Sequence, residues 1–263
     1  MCLTAMARPQ TTLEFNIVRQ HGVDIVVLLD VSGSMQSVDL EPNRLEVARK
    51  TIDDFVVERQ SDRISLVIFA GEAFTRIPLT LDKEVVRESL AEIAADSINK
   101  DGTAIGMAIS VGLNRLKKSE AASKIMILVT DGDNNAGEID PMTASSLAAE
   151  LGIRIYTIGI GSDTMIIPVQ TFFGQTQYQR YPGGFDENLL TQIAETTGGR
   201  YYRAADNKSL ERVFDVINEL EKTEFEDNNL REYNELAYPF IAAALILLFA
   251  GIIVDKYIFV QVP

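Results

Sequence analysis

Four apolar runs constrain this chain more than anything else in it. Val23–Leu29 reads VDIVVLL, Arg63–Ala70 RISLVIFA, Lys124–Thr130 KIMILVT and Ile153–Gly159 IRIYTIG. They are short, rich in β-branched residues and nearly continuous, so each predicts a strand covered on both faces. Helical periodicity fills the gaps between them. Pro42–Glu58 places Leu45, Val47, Ala48, Ile52, Phe55 and Val56 on one stripe, with Pro42 near the first turn. Further helices are predicted over Lys83–Ala94 with Asp82 as N-cap, Thr103–Lys118, Met142–Leu151 closed by Gly152, Glu187–Thr197 and Ser209–Lys222. Ala73–Leu79 can return antiparallel as a short edge strand, and Arg200–Arg203 is a short last strand. Strands that alternate with helices define an α/β fold, with a mostly parallel sheet covered on both faces.

Three segments stand outside that alternation. Ser162–Phe185 is rich in Pro, Gly and aromatics and predicts a long loop. Its Phe172, Phe173, Tyr178 and Tyr181 either rim a partner site or pack on their own domain. Residues 219–235 carry seven acids and two bases, which predicts a solvated stalk, helical in part. Leu236–Val254, LAYPFIAAALILLFAGIIV, has no formal charge and no polar face. A helix of that length crosses a hydrocarbon layer of about 30 Å, and Tyr238 and Tyr257 flank it as interfacial aromatics do. The segment predicts a C-terminal membrane anchor. The opening MCLTAMARPQ lacks the apolar stretch of a secretory signal.

With 38 acids against 24 bases the net charge is −14, which disfavours nucleic acid and anionic headgroups and favours divalent cations or basic partners. Cys2 is the sole cysteine, so no intramolecular disulfide and no cysteine-cluster metal site can form. His21 is the sole histidine and has no visible acid–base partner. Gly159-Ile160-Gly161 follows a strand but lacks the third glycine of a dinucleotide loop.

Open parallel sheets bind ligands beyond the carboxyl ends of their strands, where strand order reverses. Asp30, Ser32 and Ser34 follow the first strand in the stretch DVSGSM, Asp131 follows KIMILVT, and Thr103 opens the helix between. If those two strands are neighbours, two carboxylates and three hydroxyls meet over one crevice. Such an all-oxygen set suits Mg²⁺, or Mn²⁺ or Ca²⁺, and leaves a position open for an acidic group from outside. Asp133 can extend the acidic cluster or shape the turn with Asn134 and Asn135. Three uses of such a site are conceivable. It can bind a protein partner, it can serve a Mg²⁺-dependent hydrolase or phosphatase with Asp30 as nucleophile, or its ion can stabilise a structural anchor. The hydrolase would want a second Asp two positions after Asp30, where this chain has Ser32.

D-x-S-x-S, then Thr after Asp-Gly, then Thr-Asp-Gly at a later strand end, resembles the metal-ion-dependent adhesion site (MIDAS) of von Willebrand factor type A (VWA) domains. That resemblance implies a doubly wound six-stranded sheet of order 3-2-1-4-5-6. It also implies coordination by Ser32, Ser34 and Thr103, with Asp30 and Asp131 acting directly or through water, and a non-catalytic role. NRLEVARK, DRISLVIFAGEAFTRIPLT, DGTAIGMAI, LVTDGDNNAGEIDPMTA and IRIYTIGIGS resemble the membrane-anchored bacterial aerotolerance (Bat) proteins. The implied layout is a lead-in over 1–20, a VWA domain over 21–220, an acidic linker over 221–235, a transmembrane helix over 236–254 and a tail over 255–263. Further N-terminal membrane helices are expected upstream. The implied setting is the inner membrane, with the domain on its outer side, beside other VWA proteins and a MoxR-type ATPase.

Overall fold

The computed structural model describes residues 22–223, apart from 60, 96, 122, 163, 171–175 and 183–185, together with 10–13, 232–235 and 245–251. The chain divides into two compact units, one of residues 20–224 and one that joins 1–19 to 225–263. In the smaller unit Gln10–Leu13 pairs antiparallel with Glu232–Glu235, so part of the expected acidic linker is a strand. Residues 245–251 are helical, and Leu245 to Phe249 are exposed. Among the described residues no helix is long and apolar enough to cross a membrane. The rest of the expected span over 236–254 lies outside the described residues.

The larger unit runs β1 (Asp24–Asp30), α1 (Arg44–Glu58), β2 (Arg63–Phe69), β3 (Ala73–Thr80), α2 (Lys83–Ala91), α3 (Ile105–Leu116), β4 (Lys124–Thr130), α4 (Pro141–Glu150), β5 (Arg154–Ile160), β6 (Thr164–Gln170), β7 (Thr176–Pro182), α5 (Glu187–Thr196), β8 (Tyr201–Ala204) and α6 (Asn207–Thr223). Six strands form one sheet in the order β3-β2-β1-β4-β5-β8. Every pairing is parallel except that of β3 with β2. The expected 3-2-1-4-5 order holds, but the last strand is the eighth rather than the sixth, because a hairpin intervenes.

That hairpin replaces the loop expected over 162–185. β6 and β7 pair antiparallel from Thr164↔Pro182 to Gln170↔Thr176. TMIIPVQ and TQYQRYP are rich in β-formers, and Pro168 and Pro182 are tolerated because a two-stranded hairpin consists of edges alone.

Strand alternation sorts the core into two layers. Ile25, Val27 and Leu29 of β1 face a cluster with Leu45, Ile52 and Phe55 of α1, Leu90 of α2, and Phe214 and Ile217 of α6. Val26 and Leu28 face the other cluster, with Ile105 and Ile109 of α3, Ala144 and Ala148 of α4, and Leu190 and Ile193 of α5. The helix ends follow side-chain chemistry. Asn43, not Pro42, opens α1, its side chain accepting the Glu46 N–H at 2.8 Å. Asp82, Asp140 and Asp186 cap α2, α4 and α5 in the same way.

Gly106 lets α3 lie against the segment that enters α4. A Cβ there would stand 2.0 Å from the Ile139 carbonyl oxygen, a backbone atom that cannot swing aside. Gly106→Ala should therefore lower stability by about 1–3 kcal/mol. A lowered urea midpoint with unchanged helix content checks this.

Candidate metal centre

Asp30 is the last residue of β1 and is fully buried. The chain then leaves the sheet through a 3₁₀ turn over Gly33–Gln36. β1 runs parallel to β4 with Leu29 opposite Val129, which brings Asp30 beside Thr130 and sets Asp131 just beyond. Asp30 Oδ1 accepts the Ser32 N–H at 2.9 Å and Oδ2 accepts the Thr130 hydroxyl at 2.6 Å. Ser32 Oγ lies 3.0 Å from Ser34 Oγ, and Ser34 Oγ donates to Asp131 Oδ1 at 2.7 Å. Four of the five residues expected from the sequence thus form one hydrogen-bonded chain across two strand ends.

Thr103, the fifth, is buried just ahead of α3. Its hydroxyl oxygen lies 3.1 Å from where a Cβ on Gly132 would stand, so a glycine after Asp131 lets the threonine close on that loop. Asn135 Oδ1 accepts the Thr103 N–H at 2.8 Å, and Asn134 Oδ1 accepts the Ile105 N–H at 2.9 Å. The two asparagines therefore pin the threonine loop to the Asp131 loop. Asp133 is exposed.

Two residues of this neighbourhood escape the sequence patterns. Arg44, the first residue of α1, is 2 % exposed. Its Nη1 donates to Asp131 Oδ2 at 2.8 Å, while Nε and Nη2 donate to Asp39 Oδ1 and Oδ2, each at 2.8 Å. The guanidinium lies on the backbone of Gly161, where a Cβ would come within 2.6 Å of Arg44 Cζ. A cation in a helix's first turn works against the macrodipole, and that is the signal the sequence does hold.

Charge is tightly balanced here. Burial, then the Asp131 charge, pushes the Asp30 carboxyl up to about 7, against the pull of its bonds to Thr130 and Ser32. Burial also raises Asp131, in spite of Arg44 and Ser34. Burial works the same way on Asp39, but the Arg44 hydrogen bonds and the Ser162 N–H override it and hold that carboxyl well below the usual carboxylate range. Two carboxylates, both raised by burial and one of them further by the charge of the other, suit a site built to share a cation. Among the described residues no group of three or more His, Cys, Asp or Glu converges. An ion held here would have to accept neutral hydroxyl oxygens beside two carboxylates, which the hard dications do. The residues present fit such an ion.

The hairpin stands at the same end of the sheet. Tyr178 and Tyr181 on β7 are exposed, and Phe172 and Phe173 lie outside the described residues.

A doubly wound sheet with an oxygen-lined crevice at its switch point defines a class of ligand-binding α/β domain. The chain matches the von Willebrand factor type A domain over residues 24–216 and belongs to that family. It is similar to the crystal structure of BatB from Bacteroides thetaiotaomicron, with 31% identity and a TM-score of 0.65 over 76% of this chain and 100% of that one. An aerotolerance-related membrane protein from Bacteroides fragilis is 28% identical with a TM-score of 0.65, over 77% of this chain and all of that one. An uncharacterized protein of Borreliella burgdorferi is 31% identical over 96% of this chain and 74% of its own length. A UPF0353 protein of Nocardia farcinica is 28% identical, and the match spans 64% of it. Proximal thread matrix protein 1 from the mussel byssus, in the form with a zinc-occupied MIDAS motif, shares the fold at 19% identity and a TM-score of 0.57, over 82% of this chain and 48% of that one.

Because Asp39's folded pKa lies below its unfolded one, its stabilising contribution is present above about pH 4 and is lost as acid protonates it. Asp39→Asn should cost about 2–3 kcal/mol at pH 7, the scale of hydrogen bonds to a charged partner. Urea midpoints of variant and wild type should converge as pH falls from 4 toward 2.

Proposed function

We propose that this protein is a membrane-anchored binding module that captures a partner through a divalent cation. Asp30, Ser32, Ser34, Thr103 and Asp131 would hold the ion, Mg²⁺ by preference, with Mn²⁺ or Ca²⁺ as substitutes. The observation that carries the reading is the hydrogen-bonded chain Asp30–Ser32–Ser34–Asp131 over the switch point, with Thr103 closing on Gly132. The ion would supply positive charge and an acceptor position. An Asp or Glu on a partner protein would complete its shell, and Tyr178 and Tyr181 would contact the surface around that residue.

A binding role suits Asp30 better than a nucleophilic one. Both of its oxygens already accept hydrogen bonds, it is fully buried, and Ser32 stands where a catalytic acid would be needed. The relatives described as BatB and as an aerotolerance-related membrane protein support a part in aerotolerance, and the resemblance to the Bat family is the ground for placing it in a complex with a MoxR-type ATPase. The exposed apolar residues Leu245 to Phe249 support an anchor over 236–254, and a domain on the outer side of the inner membrane follows only from the resemblance to the Bat family.

Mn²⁺ binding to the full chain, followed by electron paramagnetic resonance, tests the site. One ion should bind, and Asp30→Asn, Ser34→Ala or Thr103→Ala should each weaken it about tenfold or more. Full-strength binding in all three would remove these residues from the site. Acetate should perturb the bound Mn²⁺ spectrum if a position is open, and would leave it unchanged if the ion is only a structural brace. Mg²⁺ at a hundred times its dissociation constant should stabilise the chain by about 2.7 kcal/mol, and EDTA should reverse the gain.

A further inference from the structure

Among the described residues, hydrogen bonds tie the hairpin and its root to the rest of their unit at two places that both lead back to the candidate cation site. The first is the turn that carries Ser34. Ser37 Oγ accepts the Ile166 N–H at 2.9 Å and lies 3.2 Å from the Ile166 carbonyl, which also accepts the Val38 N–H at 2.9 Å. The second is Asp39. Its Oδ2 accepts the Ser162 N–H at 2.9 Å and lies 3.1 Å from Ser162 Oγ, which is 2.8 Å from the carbonyl of Thr164, the first residue of β6. A two-stranded hairpin is marginal in isolation, so these attachments decide how firmly it is seated.

Arg44 joins the second attachment to the site. One nitrogen holds Asp131 Oδ2, two hold Asp39, and Gly161 at its back denies it room to retreat. Asp131 and Asp39 thus share one rigid fork. Whatever fixes Asp131 fixes Arg44, and through Arg44 fixes Asp39 and the root of β6. A lysine could not span both carboxylates in that way.

We propose that Arg44 is a positioning residue that couples cation occupancy at Asp131 to the seating of the hairpin over 164–182, a role that rests on the cation site proposed above. A cation that immobilises Asp131 and Ser34 tightens both attachments at once. The coupling is reciprocal, so a partner that grips the hairpin strengthens cation binding by the same factor.

The test uses the full chain, with Mg²⁺ as the probe. Calorimetry reads Mg²⁺ binding, and amide hydrogen exchange reads the hairpin. In the wild type, Mg²⁺ should slow exchange over residues 164–170 by about fivefold or more, the lower end of allosteric coupling. Arg44→Lys keeps the charge but not the fork. It should still bind Mg²⁺, while the hairpin responds less, through the Ser37 attachment alone. Asp39→Asn cuts the same path one step further on, and is read by the same criteria if Arg44→Lys does not fold or bind. Wild-type chain that binds Mg²⁺ with hairpin exchange unchanged or faster overturns the coupling and leaves the site standing. A response that survives intact in the variants overturns Arg44's part. Wild-type chain that binds no Mg²⁺ overturns the site, and the coupling falls with it.

Discussion

The parallel pairing of β1 with β4 is the constraint on which the rest depends. Its register runs without interruption from Asp24↔Lys124 to Leu29↔Val129 and so ends with two carboxylate-bearing loops side by side. Ladder hydrogen bonds and two apolar layers hold that alignment, since alternate residues of β1 are buried on both faces. A slip of one residue would turn Asp30 into the core and leave Asp131 without its serine partner. The polar cluster therefore does not organise itself. The hydrophobic sheet forces it together and carries the cost of two acids that burial raises.

Around that pair every neighbour limits the freedom of an oxygen. Thr130 and the Ser32 backbone take the two oxygens of Asp30, and Ser34 and Arg44 take those of Asp131. Asn134 and Asn135 hold the backbone of the threonine loop, so the Thr103 hydroxyl is placed by its main chain. Preorganisation of this kind is what a weakly donating, hydroxyl-rich site needs, because neutral oxygens cannot gather around an ion by charge alone.

Most of this was legible in the amino-acid order. Continuous apolar runs mark strands buried on both faces, and all four appear within a residue or so of their expected limits. Ser, Thr and Asp at strand ends and a helix start, four of the five beside a glycine, marked the candidate ligands. The hairpin was not legible, because its prolines, glycine and aromatics carry no clean alternation. Arg44 was hidden for another reason. In a run such as NRLEVARK an arginine reads as surface charge, and only the tertiary approach of Gly161, Asp39 and Asp131 makes it a buried fork. Long-range pairing between residues 44 and 131 leaves no periodic trace.

The hairpin leaves the chain between β5 and α5, outside the ordered layers of sheet and helix. Neither strand belongs to the six-stranded ladder, and removing both would interrupt no rung of it. Mutation can therefore lengthen, shorten or rewrite this arm while the scaffold stays intact. Descendants of one ancestral domain can diverge in what the arm touches and keep the same cluster of carboxylates and hydroxyls at the switch point.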